Sequence, residues 1–181
     1  MRRGSFIFLL LCCAPASYGD ELSICYNYGC STHGTVNLRG AQLSRMRMLF
    51  TWVQNAAAER DAIAQAIGLL ITLAGLQTPT FRDHGGNASD DGVDGRMDCI
   101  DHAHNATLYL NLMEEHGWLR FHKVLDPVKR APLLVNDHWA AHIVEQETGQ
   151  EFVVDSWFFD PGHPAAVFAL DQWKSGAEPH E

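Results

Sequence analysis

The spacing of apolar and polar residues divides the chain into a helical first part and an extended last third. Residues 42–76 carry apolar side chains at helical spacing, in two stripes separated by a short charged segment, 59–61. The stripes comprise Met46, Leu49, Phe50 and Val53, followed by Ile63, Ala66, Ile67, Leu70 and Leu73. Gly75 and Pro79 end the second stripe. We predict two helices that pack in the core.

A further helical pattern runs from Asp98 to His116 and ends at Gly117. Its predicted buried positions are Ile100, Ala103, Thr107 and Leu110, with Leu108 and Leu112 beside them. A polar, glycine-rich segment, 82–96, precedes this helix. We expect that segment to be a solvated loop beside a cleft, because loops of this length in a compact domain usually have a function.

The remaining apolar segments are typical of β-strands. His33–Leu38 is a short extended stretch, and Trp139–Glu145 and Phe152–Phe158 flank a turn at Thr148-Gly149. The last two segments predict an antiparallel hairpin with a two-residue turn. Helices followed by an antiparallel sheet predict one α+β domain over residues 17–181. The 46% of hydrophobic residues is sufficient for a core of that size.

The first 16 residues have the pattern of a secretory signal peptide. Arg2 and Arg3 are its basic start, Phe6 to Ala14 its apolar stretch, and Ala14-Pro15-Ala16 its cleavage site. The apolar stretch is about half the ~20 residues that a membrane-spanning helix needs, and no later segment comes closer. We therefore predict a periplasmic or secreted protein with no membrane span.

The charge excludes one class of partner. The chain carries a formal charge of −9, with 13 basic and 22 acidic residues, and it has no basic run of the kind that follows a phosphate backbone. Removal of residues 1–16 takes away Arg2 and Arg3 and lowers the charge to −11. We predict that the protein does not bind nucleic acid.

The cysteine count indicates a free thiol. Of the five cysteines, Cys25, Cys30 and Cys99 lie outside the signal peptide. Cys25 and Cys30 flank a segment with Asn27 and Gly29, which favour a turn, so a local disulfide is expected in an oxidising compartment. Cys99 is then unpaired, and such a thiol is either buried and inert or used for chemistry.

Cys99 is predicted to lie in the first turn of its helix. Asp98 is placed to cap that helix, and Asp101 occupies the partner position of a capping box. Unpaired backbone N–H groups and the positive end of the helix dipole stabilise a thiolate there. The same N–H groups are suited to binding the oxyanion of an acyl intermediate.

The predicted hairpin supplies a base and an orienting acid. His138 and His142 lie on its first strand and Asp155 on its second. With a two-residue turn, paired residue numbers sum to 297, which places Asp155 across from His142 and on the same face as both histidines. A thiolate nucleophile needs such a pair.

A cysteine that begins a helix, followed by histidine and aspartate on consecutive antiparallel strands, resembles the transglutaminase-like branch of the papain fold. Three blocks carry the resemblance: Gly95 to Asp101, His138 to Ala141, and Val153 to Phe158. In such families the histidine opens its strand. His138 precedes Asp155 by 17 residues, close to the family spacing, whereas the ideal hairpin register favours His142. The resemblance implies Cys99, His138 and Asp155 as the triad.

A member of this superfamily would be a peptidase, an amidase or a transglutaminase, with a papain-like core in which a cysteine-bearing helix packs on an antiparallel sheet. Its substrate would be a peptide or protein acyl group, for which the cell envelope is a suitable source. No cofactor is required. The residues favour neither hydrolysis nor transfer to an amine.

Two other functions remain open from the sequence. Cys99, His102, His138 and His142 have the ligand types and spacing of a tetrahedral zinc site, which would make the protein a structural metal-binding module. The chain is also compatible with an inactive papain-like domain that only binds a partner. His102 and His104 follow Cys99 on the helix and are expected to be packing or surface residues.

Overall fold

A computed structural model describes residues 19–87, 89–131 and 137–179. The elements are β1 (Asp20–Tyr26), β2 (Thr32–Leu38), α1 (Gly40–Phe50), α2 (Ala56–Gly75), a 3-10 turn (Pro79–Arg82), α3 (Cys99–Glu115), β3 (His122–Arg130), β4 (His138–Glu145), β5 (Glu151–Asp155), β6 (Ala166–Ala169) and α4 (Leu170–Lys174). The predicted α+β class is confirmed. The predicted signal peptide, 1–16, lies outside the described residues.

Helices α1 and α2 form where the two apolar stripes predicted them. Every member of those stripes is buried except Leu49, which is partly buried against the same core. Asn55 caps α2, its side chain accepting a hydrogen bond from Ala58 N–H at 2.8 Å. Although α2 has 20 residues, no helix in the described part of the chain is long and apolar enough to cross a bilayer.

Strand β1 is missing from the sequence prediction. It pairs antiparallel with β2 over its whole length, from Asp20 opposite Leu38 to Tyr26 opposite Thr32. The inward face of this ribbon contributes Leu22, Ile24 and Val36 to the core. The predicted disulfide joins Cys25 of β1 to Cys30 in the connection between the two strands.

Four antiparallel strands form the larger sheet of the described chain, in the order β3-β4-β5-β6. Strand β3 was not predicted because Asp126 and Pro127 interrupt its pattern. Proline is tolerated only in edge strands and at bulges, since it donates no ladder hydrogen bond. Both conditions are met here, because β3 is an edge strand and its register with β4 shifts between Leu125 and Val128.

The predicted register of the β4–β5 hairpin is wrong by two residues. Observed pairs such as His142 with Val153 sum to 295 rather than 297, because residues 146–149 form the loop instead of Thr148 and Gly149 alone. Continuing this register places Asp155 across from Ala140. His138 and His142 are then the two diagonal neighbours of Asp155 on its own face.

Helix α3 packs against the sheet on a face that the sequence predicted only in part. Ala103 and Leu110 are buried as expected, whereas Ile100 is 42% exposed and Thr107 is only half-buried. The buried face instead includes Ala106, Tyr109 and Met113. Because this buried face differs from the predicted one, the start of the helix is partly exposed, and Cys99 is half-buried there.

Candidate active site

Cys99 is the first residue of α3, and a complete capping box surrounds it. Asp98 Oδ1 accepts the N–H groups of Ile100 and Asp101, each at 3.0 Å. Asp101 Oδ2 in turn accepts Asp98 N–H at 3.1 Å. The predicted cap is therefore confirmed, and Cys99 is a half-buried, unpaired thiol in the first turn.

The disulfide loop holds this capping box from outside. Residues 27–30 all have positive φ angles, between 56° and 68°, which is unusual for residues other than glycine. In this conformation the N–H groups of Tyr28 and Cys30 donate to Asp101, and Gly29 N–H donates to Asp98. Burial raises the pKa of Asp101, and the N–H group of Cys30 opposes that rise. The loop thereby fixes the position of the helix start.

The glycine-rich segment before Cys99 is held closely against its surroundings. Gly95 has a φ of +92°, and a Cβ atom there would lie 2.1 Å from the carbonyl oxygen of Pro79. Only glycine fits that position. Further along, Met97 N–H donates to Asp83 Oδ1 at 2.9 Å. These contacts fix the backbone that leads into Cys99 and therefore the position of Cys99 in the cleft.

His138 and Asp155 form a buried pair. His138 Nε2 lies 2.7 Å from Asp155 Oδ2, and Asp155 is 2% exposed. Asp155 accepts two further hydrogen bonds, from Trp173 Nε1 at 3.1 Å and from Trp157 N–H at 3.2 Å. Because a carboxylate only accepts, His138 Nε2 carries the hydrogen in this pair.

Cys99 lies beside His138 in the same cleft. Its thiol donates to the carbonyl oxygen of Asp137 at 3.9 Å, and Nδ1 is the nitrogen of the His138 ring that Asp155 does not engage. Burial by itself would lower the pKa of His138, but Asp155 and then Cys99 outweigh it and raise the pKa to about 9. At neutral pH the ring is therefore an imidazolium beside the sulfur.

These side chains open into a cleft of about 530 Å³. Its wall includes Tyr28, Asn87, Arg130 and Trp157, and the local sequence pattern predicts none of the four as part of the site. Burial and a hydrogen bond to Asp90 raise the pKa of Tyr28 to about 12, so its hydroxyl stays protonated. The cleft is large enough for part of a peptide chain.

Trp173 on α4 is a further site residue that was not predicted from the sequence. It is fully buried, its indole N–H donates to Asp155, and its ring centroid lies 5.8 Å from that of His138. The available signal was the apolar run Phe168 to Leu170, which a tryptophan follows three residues later. Large apolar residues in such a run are usually buried.

One backbone donor in the first turn is unused. Ile100 and Asp101 donate to the Asp98 side chain, and His102 N–H donates to the Asp98 carbonyl oxygen at 3.1 Å. Within the described residues, Cys99 N–H has no hydrogen-bond acceptor. It lies beside the sulfur and is suited to binding an oxyanion formed there.

His142 and His102 are both engaged elsewhere. His142 Nε2 lies 3.1 Å from Glu151 Oε2, and the observed register does not place His142 across from Asp155 as predicted. His102 is buried between Ser156 Oγ at 2.9 Å and Asp83 Oδ2 at 3.0 Å. Residues 19–87, 89–131 and 137–179 contain no point at which three of Cys99, His102, His138 and His142 bring ligand atoms within 4.8 Å of one another.

Another group has metal-ligand types at short distance. Cys25, Cys30 and the exposed His104 bring one ligand atom each within 4.8 Å. Both sulfur atoms belong to the disulfide, so neither is a thiolate that could bind a metal ion.

No known protein family, curated protein or solved structure matches the chain.

Proposed function

We propose that this chain is a secreted, cysteine-dependent acyl-transfer enzyme with a papain-like, transglutaminase-like core. Cys99 is its nucleophile, His138 its base and acid, and Asp155 the residue that orients His138. One observation carries the proposal: the His138 ring contacts Asp155 through Nε2 at 2.7 Å and lines the same cleft as Cys99, which begins a helix and raises the pKa of His138. A nucleophile, a base and an orienting acid in that order are the requirement for covalent acyl transfer.

The first chemical step joins the sulfur to the substrate. The Cys99 thiolate attacks the carbonyl carbon of an amide, and the oxygen becomes an oxyanion stabilised by Cys99 N–H. The imidazolium of His138 then gives its Nδ1 proton to the departing amine as the carbon–nitrogen bond breaks. A pKa of about 9 keeps His138 protonated for this transfer at neutral pH.

The second step releases the acyl group. Neutral His138 accepts a proton from water or from a second amine, which attacks the thioester and expels the sulfur. Water makes the enzyme a peptidase or amidase, and an amine makes it a transglutaminase. Asp155 keeps Nε2 protonated throughout, so Nδ1 is always the nitrogen that exchanges the proton. No cofactor takes part in either step.

Two features support an acyl substrate outside the cytoplasm. The signal-peptide pattern of residues 1–16 favours export, and the Cys25–Cys30 disulfide is typical of an oxidising compartment. The cleft beside Cys99 is of a size that admits an extended peptide. A peptide or protein of the cell envelope is therefore the substrate we propose, in the periplasm or outside the cell.

The test is the rate of alkylation of Cys99 by iodoacetamide in metal-free mature protein, measured against pH and mapped by mass spectrometry. We expect rapid labelling at neutral pH that His138→Ala lowers by about 100-fold or more. His142→Ala is the matched control, because it removes a buried histidine from the same strand and should leave the rate unchanged.

Two results would contradict the proposal. If Cys99 reacts only after the protein unfolds, the thiol is structural and the protein is a binding domain. If labelling appears only after a chelator removes stoichiometric zinc, the protein is a metal-binding module.

A further inference from the structure

Arg130 lies next to the proposed triad but takes no part in it. It is the last residue of β3, and its partner in the sheet register is His138. Both residues line the cleft that contains Cys99. A ligand that fills this cleft would share it with a positive charge.

The guanidinium group of Arg130 is firmly held. Its Nη1 donates to the carbonyl oxygens of Trp173 at 2.7 Å and Ala177 at 2.9 Å, and its carbon lies 4.9 Å from the Trp173 ring centroid. The residue is only 8% exposed. These contacts order the head group before any ligand arrives, which lowers the entropy cost of binding.

The charge of Arg130 has no counterion in the described part of the chain, where it forms no ion pair within 4.0 Å. Carbonyl oxygens satisfy hydrogens but do not neutralise a cation. A buried charge without a partner is costly, so proteins rarely retain one. An anion bound in the cleft would remove that cost.

Two of its nitrogens are available for such an anion. Nε and Nη2 of Arg130 donate to none of the described residues, and Arg130 is part of the cleft wall. The planar fork of a guanidinium matches the two oxygens of a carboxylate. A carboxylate is therefore the group that best fits these donors.

The acidic residues along the same cleft are already engaged or lie in solvent. Asp98 accepts N–H groups of α3 and of the disulfide loop, and Asp137 pairs with Lys129. Glu178 is exposed to water. None of them cancels the positive charge at Arg130.

We propose that Arg130 is a carboxylate-binding subsite, so that the preferred acyl substrate carries a free carboxylate close to the bond that is cleaved. This inference rests on the proposed function of Cys99 for its meaning, but the subsite itself is measurable without it. A terminal carboxylate or an acidic side chain of a peptide has the required chemistry.

The first experiment compares two reagents that alkylate Cys99 and differ in charge. Iodoacetate carries a carboxylate and iodoacetamide does not, so the ratio of their rates isolates recognition of the anion from the reactivity of the thiol. We expect Arg130→Gln to lower the iodoacetate-to-iodoacetamide ratio roughly tenfold, the effect of one charge-assisted hydrogen bond. Lys123→Gln is the control, because it removes the same charge from the same strand at an exposed ion pair with Glu114.

The second experiment does not depend on Cys99 or on the folding of a variant. Wild-type protein is titrated with succinate while the Arg130 Nε–H signal is followed by ¹H–¹⁵N NMR, with the neutral diamide of succinate as the control. A saturable shift with succinate alone supports the subsite.

Absence of that shift, or equal iodoacetate-to-iodoacetamide ratios for Arg130→Gln and Lys123→Gln, would mean that Arg130 only anchors α4. An inert Cys99 with a normal succinate shift would reject the enzyme and retain the subsite.

Discussion

Two histidine–carboxylate pairs lie at opposite ends of the β3–β4 ribbon, and only one of them has an open side. His122 begins β3 and contacts Glu59 at 3.0 Å, whereas His138 begins β4 and contacts Asp155 at 2.7 Å. The partners of the remaining ring nitrogens differ. His122 Nε2 lies 3.2 Å from Arg60 Nη1, whereas His138 lines the open cleft together with Cys99.

The His122 pair is saturated. Glu59 accepts the N–H groups of Arg120, Phe121 and His122 in addition to the ring, and neither member of the pair is exposed to solvent. Burial by itself would raise the pKa of Glu59, but the hydrogen bonds from His122 and these N–H groups lower it. Such a pair holds the first turn of α2 against β3. Because both residues are buried, a ligand cannot reach them to exchange a proton.

A third group shows that residue types alone do not identify a catalytic site. Asp83, His102 and Ser156 have the composition and order of a hydrolase triad, with hydrogen bonds of 3.0 and 2.9 Å. All three are buried, and the cavity beside His102 and Ser156 is about 10 Å³, room for about one water molecule. A substrate has no access to it. The group instead ties α3 to the residue that follows Asp155.

The largest effect on stability is expected at the His122–Glu59 pair. Glu59→Ala leaves several buried donors without an acceptor and should lower the free energy of unfolding by about 3–5 kcal/mol, measured by urea denaturation. The control is Glu151→Ala, which removes the 43% exposed partner of His142 and should cost under about 1 kcal/mol. Equal losses from the two substitutions would contradict the distinction between a saturated and a surface pair.

The next effect distinguishes the His138–Asp155 pair from the buried Asp83–His102–Ser156 group. Asp155→Asn offers an amide N–H toward His138 Nε2, which favours the wrong tautomer, so alkylation of Cys99 should slow by about 100-fold. Ser156→Ala removes the hydrogen bond to His102 within the buried Asp83–His102–Ser156 group and should lower stability while the folded protein keeps its alkylation rate. An equal decrease of the alkylation rate in both variants would mean that the buried Asp83–His102–Ser156 group also controls the reactivity of Cys99.

The smallest effect is the pH dependence of the free energy of unfolding, which has opposite signs for the His138–Asp155 pair and the His122–Glu59 pair. His138 has a pKa raised from 6.5 to about 9 by folding, so its contribution to stability is complete below about pH 6.5 and is lost as pH rises to about 9. Glu59 has a lowered pKa, so its contribution is present above its ordinary value and is lost in acid. Urea denaturation across this range should show an alkaline slope of at most about 1.4 kcal/mol per pH unit that His138→Gln removes. An unchanged slope in that variant would assign the titration to another group.

Local patterns in the chain carried much of the fold. The stripes of α1 and α2, the cap at Asp98 and the local disulfide depend on residues within a few positions of one another, and each formed as predicted. Strand β1 was missed although its partner β2 follows after five residues. Strand β3 was missed because Asp126 and Pro127 interrupt its pattern, and α4 because Trp173 is held by Asp155, 18 residues away. Pro127 in particular contradicts a strand until an edge position and a bulge accommodate it.

The sequence by itself determined which chemistry is available: a cysteine in the first turn of a helix, and histidines with an aspartate on neighbouring strands. Only the tertiary structure decided which histidine meets the sulfur, because a four-residue loop shifts the hairpin register and leaves His138 and His142 as equivalent diagonal neighbours of Asp155. His142 contacts Glu151 within the hairpin, whereas His138 contacts Trp173 and shares its cleft with Cys99. Cys99 and Trp173 are both more than 30 residues from His138, and no local pattern of residues reveals that they lie together.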